Sequence, residues 1–276
     1  YVVAHHPSKF KDIKEQATAY KEEFGIEINI YSKEDFEKIG HGGMEQFGAF
    51  SYKPGFAINP LKFVNGIAKY ALSKKLKIFE HTKVDTIDKD NGAYILRTKE
   101  GSIRSKKIVV ATNGFYQEGL IPEMNSRILP VISNIIVTRA LKEQEIDQHN
   151  FKTFSPIANT KNLLYYYRKL PDNRILFGTR GDLIGSDQSN LLMSIKMEKF
   201  LKDIFPKWSN VSIDYNWRGL IALSQKLTPS IGKIENEEIY YGFGYNGVGV
   251  SAAPWTGKQL SKLVFSSNSK ELDICL

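Results

Sequence analysis

Cysteine is almost missing from these 276 residues, with Cys275 the single one. No disulfide can close within the chain, which suits a reducing compartment. That one thiol stands next to the last residue, outside the body of any fold, so neither thiol catalysis nor a covalent link to a prosthetic group is supported. Long apolar runs are absent too: the longest span only a few residues, against the roughly 20 needed to cross a bilayer. The opening Tyr1-Val-Val-Ala-His-His-Pro7 lacks the basic stretch and apolar core of a leader, so no signal peptide is expected and a cytoplasmic setting is. Arginine is scarce, with eight among the 38 basic residues. There is no Arg-rich stripe with interleaved aromatics, which argues against a nucleic-acid groove. The densest lysine clusters, Lys74-Lys75-Leu-Lys77 and Lys106-Lys107, read as solvated faces. His5, His6, His41, His81 and His149 have no metal-ligand spacing with Cys or carboxylates, and read as solvent or core residues. Neither a G-x-S-x-G nor a Walker loop is present.

What is present is an ordinary globular composition, 42% hydrophobic and 25% charged, with a net charge of +8 that favours anionic ligands weakly. Ser8 reads as the cap of a one-sided helix whose apolar residues Phe10, Ile13, Ala17, Tyr20 and Phe24 step by three and four before Gly25 ends it. A short strand follows at Glu27 to Tyr31, then a helix opened by Ser32 with Asp35 in the capping-box position. After a loop from His41 to Pro54, Asn59-Pro60 reads as a cap with Pro at the first helical position, the helix running to about Leu72. Lys77-Ile-Phe-Glu80, Lys83 to Ile87 and Ala93 to Thr98 predict short strands. Lys107-Ile-Val-Val-Ala-Thr-Asn-Gly114 reads as a buried strand breaking at a small polar corner, as parallel strands do at a ligand-facing end. The middle changes style. Runs at Val131 to Thr138, Leu163 to Arg168, Ile175 to Thr179 and Val211 to Ile221 predict an antiparallel sheet with one helix, Leu191 to Phe205, against it. A strand, a glycine loop and a last helix to about Phe265 return to the first style. The order α/β, antiparallel β, α/β predicts two interleaved domains.

The glycine loop, Gly242-Phe-Gly244-Tyr-Asn-Gly247, spells G-x-G-x-x-G. A dinucleotide turn needs a complete βαβ unit after it, and beyond Gly247 come one helix and Glu271-Leu-Asp-Ile-Cys-Leu276, with Glu271 at the acidic spacing but no strands to follow. Glycines at 242, 244, 247 and 249 instead let the backbone approach a planar ligand, and the start of the next helix offers free N–H groups to its anionic edge. The bland alternative is a glycine-rich structural corner.

"PLKFVNGIAKYALSKKLKIFEHTKVDTIDKDNGAYILRTKEGSIRSKKIVVATNGF", followed by "LPVISNIIVTRAL", "YYYRKLPDNRILFGTRGD" and "WRGLIALSQKLTPSIGKI", resembles the FAD-dependent D-amino-acid oxidase superfamily. The likeness runs from about Ala57 to Phe265 and is strongest to the glycine oxidase, sarcosine oxidase and gamma-glutamylputrescine oxidoreductase branch. It implies a mixed α/β (α+β) fold: an FAD/NAD(P)-binding type domain at 56–125 and 226–276, interleaved with an antiparallel-sheet substrate domain at 1–55 and 126–225. It implies FAD as cofactor, with Val84 at the adenine and Ala111, Thr112, Asn113 and Gly114 beside the pyrophosphate. Trp217-Arg-Gly219 and Pro229-Ser-Ile-Gly232 match the return to the FAD domain, and Gly244, Tyr245, Asn246, Gly247, Val248 and Gly249 the loop closing on the flavin. The reaction implied is hydride transfer from the carbon next to the nitrogen of an amine or amino acid, giving an imine that water hydrolyses. Tyr166, Arg168, Trp217 and Tyr245 are the candidates for the aromatic walls and for gripping a carboxylate. For Tyr165-Tyr-Tyr167 the alternative is a strand with one aromatic face in the core.

The sequence departs from the family in two places. The opening strand, G-x-G-x-x-G and acidic residue are not found ahead of His41, so the FAD domain is expected to lack its first βαβ unit and the chain to be N-terminally truncated. "GFAINP" has no histidine before its Pro, and Lys53 stands where an acidic residue is common. The partners expected are a small-molecule amine or amino acid and a partner or upstream segment supplying the ADP-binding unit. The alternative is a non-catalytic remnant or subunit that needs such a partner.

Overall fold

The computed structural model describes residues 1–53, 55–182 and 185–265; Cys275 and Glu271 lie outside them. The chain divides into two compact units, Tyr1–Ile58 with Ile132–Gly219, and Asn59–Val131 with Leu220–Leu276.

In chain order, β1 (Val2–Val3) precedes α1 (Lys9–Phe24), which buries Ile13 and Ala17 and ends at Gly25 with φ 61°. Ser8 does not cap it: its hydroxyl pairs with His6 Nδ1 instead, at 2.9 Å. After β2 (Ile28–Tyr31), Ser32 caps α2 (Lys33–Ile39), accepting from Asp35 N–H at 3.1 Å and donating to the Asp35 carboxylate at 2.9 Å. The loop that follows holds β3 (Ala49–Tyr52). Asn59 Oδ1 accepts from Lys62 N–H and caps α3 (Pro60–Ser73), none of whose residues is buried.

The predicted strand Lys77–Glu80 does not form, and Ile78 and Phe79 are exposed. A strand needs a hydrogen-bonded neighbour, and among the described residues this run has none. The run predicted from Lys83 becomes a strand at Thr86, where pairing begins: β4 (Thr86–Asp90), β5 (Ala93–Thr98) and β6 (Gly101–Ser105) make an antiparallel meander. β7 (Ile108–Val110) then leads into a 3-10 turn at Asn113–Phe115.

The long β8 (Leu129–Thr138), α4 (Glu143–Gln148), β9 (Ile157–Asn159), β10 (Tyr165–Lys169), β11 (Ile175–Asp182), α5 (Asp187–Ile204) and β12 (Ile213–Leu223) follow. Finally β13 (Ser230–Lys233) and β14 (Ile239–Phe243) precede α6 (Gly249–Phe265).

The first unit is built on an eight-stranded sheet, β12-β8-β11-β10-β9-β1-β3-β2, whose neighbours from β8 to β2 run antiparallel except for β1 with β9. Strand β12 runs from this unit across the division at Gly219. One face of the sheet is core. Register fixes which residues it takes, because Tyr165 sits opposite Thr179, Tyr167 opposite Phe177 and Lys169 opposite Ile175. These pack with Met197, Leu201, Ile204 and Phe205 around fully buried Phe36, Phe151 and Trp208. Each such side chain contributes about 1.5–3 kcal/mol through burial.

The second unit holds two three-stranded sheets, β4-β5-β6 and β13-β14-β7. In the latter, β14 pairs antiparallel with β13 and parallel with β7. Ile108 and Val110 join Tyr94, Ile121, Met124 and Phe243 in one core, while Ile231, Tyr240 and Leu260 form another with α6.

Candidate functional site

In the second unit, two loops leave the same end of a parallel strand pair. β7 runs into Ala111-Thr-Asn-Gly114 and β14 into Gly244-Tyr-Asn-Gly-Val-Gly249, which opens α6. Ligands of α/β sheets bind in such a crevice, at the carboxyl ends of parallel strands. A direct bond ties the loops together: Asn113 Oδ1 accepts from Gly244 N–H at 3.0 Å. Gly244 has φ 76° and Gly247 φ 99°, the left-handed region in which a side chain is strained, and a Cβ on Gly244 would fall 2.8 Å from Ser224 Cβ. Asn246, itself at φ 53°, latches the loop to β12 and the turn after it. It accepts from Ser224 N–H at 3.0 Å and donates its own N–H to Ala222 O at 2.9 Å. Ala111 and Thr112 are exposed, as are Gly247 and Val248. The crevice is therefore lined by small residues and backbone.

Gly232 and Tyr245 also have structural partners within this unit. Gly232 lies opposite Tyr241, and a Cβ there would fall 2.5 Å from the Tyr241 hydroxyl, so its lack of a side chain makes room for that ring. Tyr245 packs back along Gly249, with its hydroxyl over Gly242 and its body half-buried; burial pushes the phenol above its ordinary pKa. Val84 is half-buried in the stretch before β4.

Tyr166, Arg168, Trp217 and Gly219 belong to the first unit. Strand alternation puts Tyr166 and Arg168 on the sheet face opposite the core, where register sets Tyr166 against Gly178 and Arg168 against Leu176. The Tyr166 ring lies flat across Gly178: a Cβ there would come within 2.2 Å of it. Its hydroxyl pairs with Ser133 Oγ at 2.7 Å. Burial pushes the phenol up, an effect the Ser133 bond and the Arg180 charge offset in part. Arg180 sits opposite Ser133 on the same face. Arg168 is held by donating to Ile58 O at 3.0 Å. Trp217 is 44% exposed on β12, the strand beside β8. Sequence reasoning missed Ser133, Gly178 and Arg180. The i, i+2 spacing in Phe177-Gly-Thr-Arg180 carries a signal, since it puts Gly178 and Arg180 on one face.

Of the aromatic run, Tyr165 and Tyr167 face the core. Tyr167 Oη meets His41 Nε2 at 2.8 Å; because His41 Nδ1 accepts from Gly43 N–H at 3.0 Å, Nε2 carries the hydrogen and donates. Burial lowers the His41 pKa to about 3, with the His149 charge adding to the effect. Among the described residues no group of three or more His, Cys, Asp or Glu could hold a metal, and no helix is long and apolar enough to cross a membrane.

The ends of these loops suit a flat, anionic group: exposed Ala111, Thr112 and Gly247, the last at φ 99°, lie by the start of α6, whose free N–H groups favour negative charge.

Known proteins resemble this chain both in sequence and in fold. A probable oxidoreductase of Haemophilus influenzae, OrdL, is 30% identical over 228 residues, 81% of this chain and 50% of that protein. Gamma-glutamylputrescine oxidoreductase of Escherichia coli is 30% identical over 217 residues, 79% of this chain and 50% of that protein. The chain thus spans about half the length of these curated relatives. The crystal structure of glycine oxidase from Geobacillus kaustophilus superposes with a TM-score of 0.78 at 17% identity, over 95% of this chain and 69% of that one, and shows the same mixed α/β fold. The family model described as FAD dependent oxidoreductase matches residues 1–263, and the chain belongs to that family of flavoproteins.

Proposed function

We propose that this chain belongs to an FAD-dependent amine or amino-acid oxidoreductase. The observation carrying the proposal is the bond from Gly244 N–H to Asn113 Oδ1, which holds two small-residue loops together at the carboxyl ends of a parallel pair. The FAD that these two loops would hold would supply the acceptor for a hydride from the carbon next to the substrate's amine nitrogen. In this reading Ala111 to Gly114 flank the pyrophosphate, Val84 meets the adenine through its backbone, and Gly244 to Gly249 bring the start of α6 to the cofactor's anionic edge. Gly219 and Gly232 serve the return of the chain to the cofactor domain, and Tyr245 supports the loop from below.

Tyr166 and Trp217 supply aromatic wall, which excludes water from the reacting carbon. Arg168 offers its guanidinium group on this sheet face to a substrate carboxylate. The neutral Tyr166 phenol, kept protonated by burial, offers a hydrogen-bonding hydroxyl beside it. The substrate class follows the relatives, whose names include a glycine oxidase and a gamma-glutamylputrescine oxidoreductase. A lone cysteine fits a cytoplasmic setting.

The test is direct. The chain is purified with added FAD, its absorption spectrum recorded, and amines and amino acids screened for bleaching of the flavin bands without oxygen. A yellow protein bleached by a substrate of either class is the expected result. A colourless product from the chain as it occurs in its source would falsify the reading.

A further inference from the structure

Tyr166 reaches well beyond its own strand. From β10 its ring crosses Gly178 on β11, and its hydroxyl meets Ser133 Oγ on β8 at 2.7 Å. The bond spans three adjacent strands of one sheet, so it fixes the direction of the ring as well as its height above the sheet. On β8 the residue opposite Gly178 is Ile135, and Ser133, on the same face by alternation, lies opposite Arg180.

Which of the two oxygens donates decides what Tyr166 can offer. If the phenol gives its hydrogen to Ser133, only lone pairs remain on Oη; if Ser133 donates, the phenol hydrogen is left for another acceptor. The neighbouring charge favours the second arrangement. Cβ atoms of directly opposed residues stand about 4.5–5.5 Å apart, and the Arg180 charge is felt at the Tyr166 phenol, which burial keeps protonated. Hydroxyl dipoles orient in the field around them. The Ser133 oxygen therefore turns toward the guanidinium and its hydrogen away from it, toward Tyr166.

We propose that Ser133 is a positioning residue: it donates its hydrogen to Tyr166 Oη and so presents the Tyr166 hydroxyl as a donor to an acceptor group of the substrate. Gly178 clears the path for the ring, and Arg180 sets the direction of the bond. Ser133 acts through Tyr166 and touches no substrate itself. The inference rests on the reading that Tyr166 lines the substrate site, whereas the direction of the bond can be tested without it.

A ring-fluorinated tyrosine, which ionises below tyrosine itself, is placed at position 166 and its fluorine resonance followed with pH. A hydrogen bond donated to a phenolate lowers the pKa of the phenol, and one accepted from the neutral phenol raises it. The midpoint should therefore rise in Ser133→Ala by about 0.5 or more, the scale of one hydrogen bond, and return in Ser133→Thr, which restores a hydroxyl. In the FAD-loaded protein Ser133→Ala should raise KM roughly three- to tenfold, with a smaller effect on kcat. Added to Tyr166→Phe it should raise KM no further, because the two side chains act as one unit. The titration needs neither flavin nor substrate, so it decides the direction of the bond even where no amine or amino acid bleaches the flavin, the outcome that defeats the proposed function instead. A midpoint that stays or falls in Ser133→Ala, or KM effects of the two substitutions that add, would overturn the proposal.

Discussion

Gly178 shows how a single missing side chain places a functional one. A methyl there would fall 2.2 Å from the Tyr166 ring, so Gly178→Ala must lift the ring off the strand and strain its bond to Ser133. The expected cost is about 1–3 kcal/mol by overpacking, seen as a lower urea midpoint, together with a raised KM for the amine substrate if Tyr166 forms its wall. Asn113→Ala should cost about 1 kcal/mol for the lost bond to Gly244 and weaken FAD binding in a fluorescence titration; unchanged affinity would argue against the loops as the cofactor site. His41 supplies a pH prediction. Its folded pKa of about 3 lies below the ordinary 6.5, so the unfolded chain binds more protons between those values. The stability its neutral form contributes is complete above about pH 6.5 and is lost as pH falls toward 3, at about 1.4 kcal/mol for each step of one in pH. The urea midpoint should therefore fall from pH 7 to pH 4, and the fall should be shallower in His41→Gln. None of this was legible beforehand: His41 could be read from its spacing as a core or solvent residue, but its tautomer depends on Gly43 and Tyr167, the latter far along the chain.

At the scale of elements the sequence was most informative where the signal is local. The bounds of α1, the Ser32 cap with Asp35, and the Asn59-Pro60 start of α3 follow from neighbours three or four residues away, and all appear in the structure. Ser32→Ala should lower stability by about 1 kcal/mol, measurable by chemical denaturation. Ser8 failed as a cap because His6 competes for its hydroxyl. The short strands β1, β3 and β9 escaped notice because two to four residues carry no period, and distant partners decide them. Lys77–Glu80 erred in the other direction: strand propensity without a neighbour is not a strand. At the glycine loop, Gly244→Ala combines a left-handed φ with a contact to Ser224 Cβ, so it should destabilise the loop and reduce bound FAD, read by the protein-to-flavin absorbance ratio.

For the whole molecule, the proposed cofactor should act as a stabiliser, because a ligand bound to the folded state alone adds about 2.7 kcal/mol at a hundredfold excess over its Kd. Thermal unfolding with and without FAD checks this, and an unchanged Tm at saturating FAD would count against binding by this chain. Residue types and periods alone determined the alternation of α/β with antiparallel β, helices α1 to α3 with the caps at Ser32 and Asn59, and the blocks that resemble the family. FAD was implied by the resemblance that those blocks carry, while the glycine loop taken alone indicated only a planar, anionic ligand or a structural corner. Tertiary structure decided which two tyrosines of the run face the core, that Tyr245 turns back along its own helix, and that Asn113 reaches Gly244. Among the described residues it also left Lys77–Glu80 without a strand partner and α3 without a buried residue. The reason is common to all of these: register, cross-strand sterics and burial depend on residues far apart in the chain, and no window of sequence contains both partners.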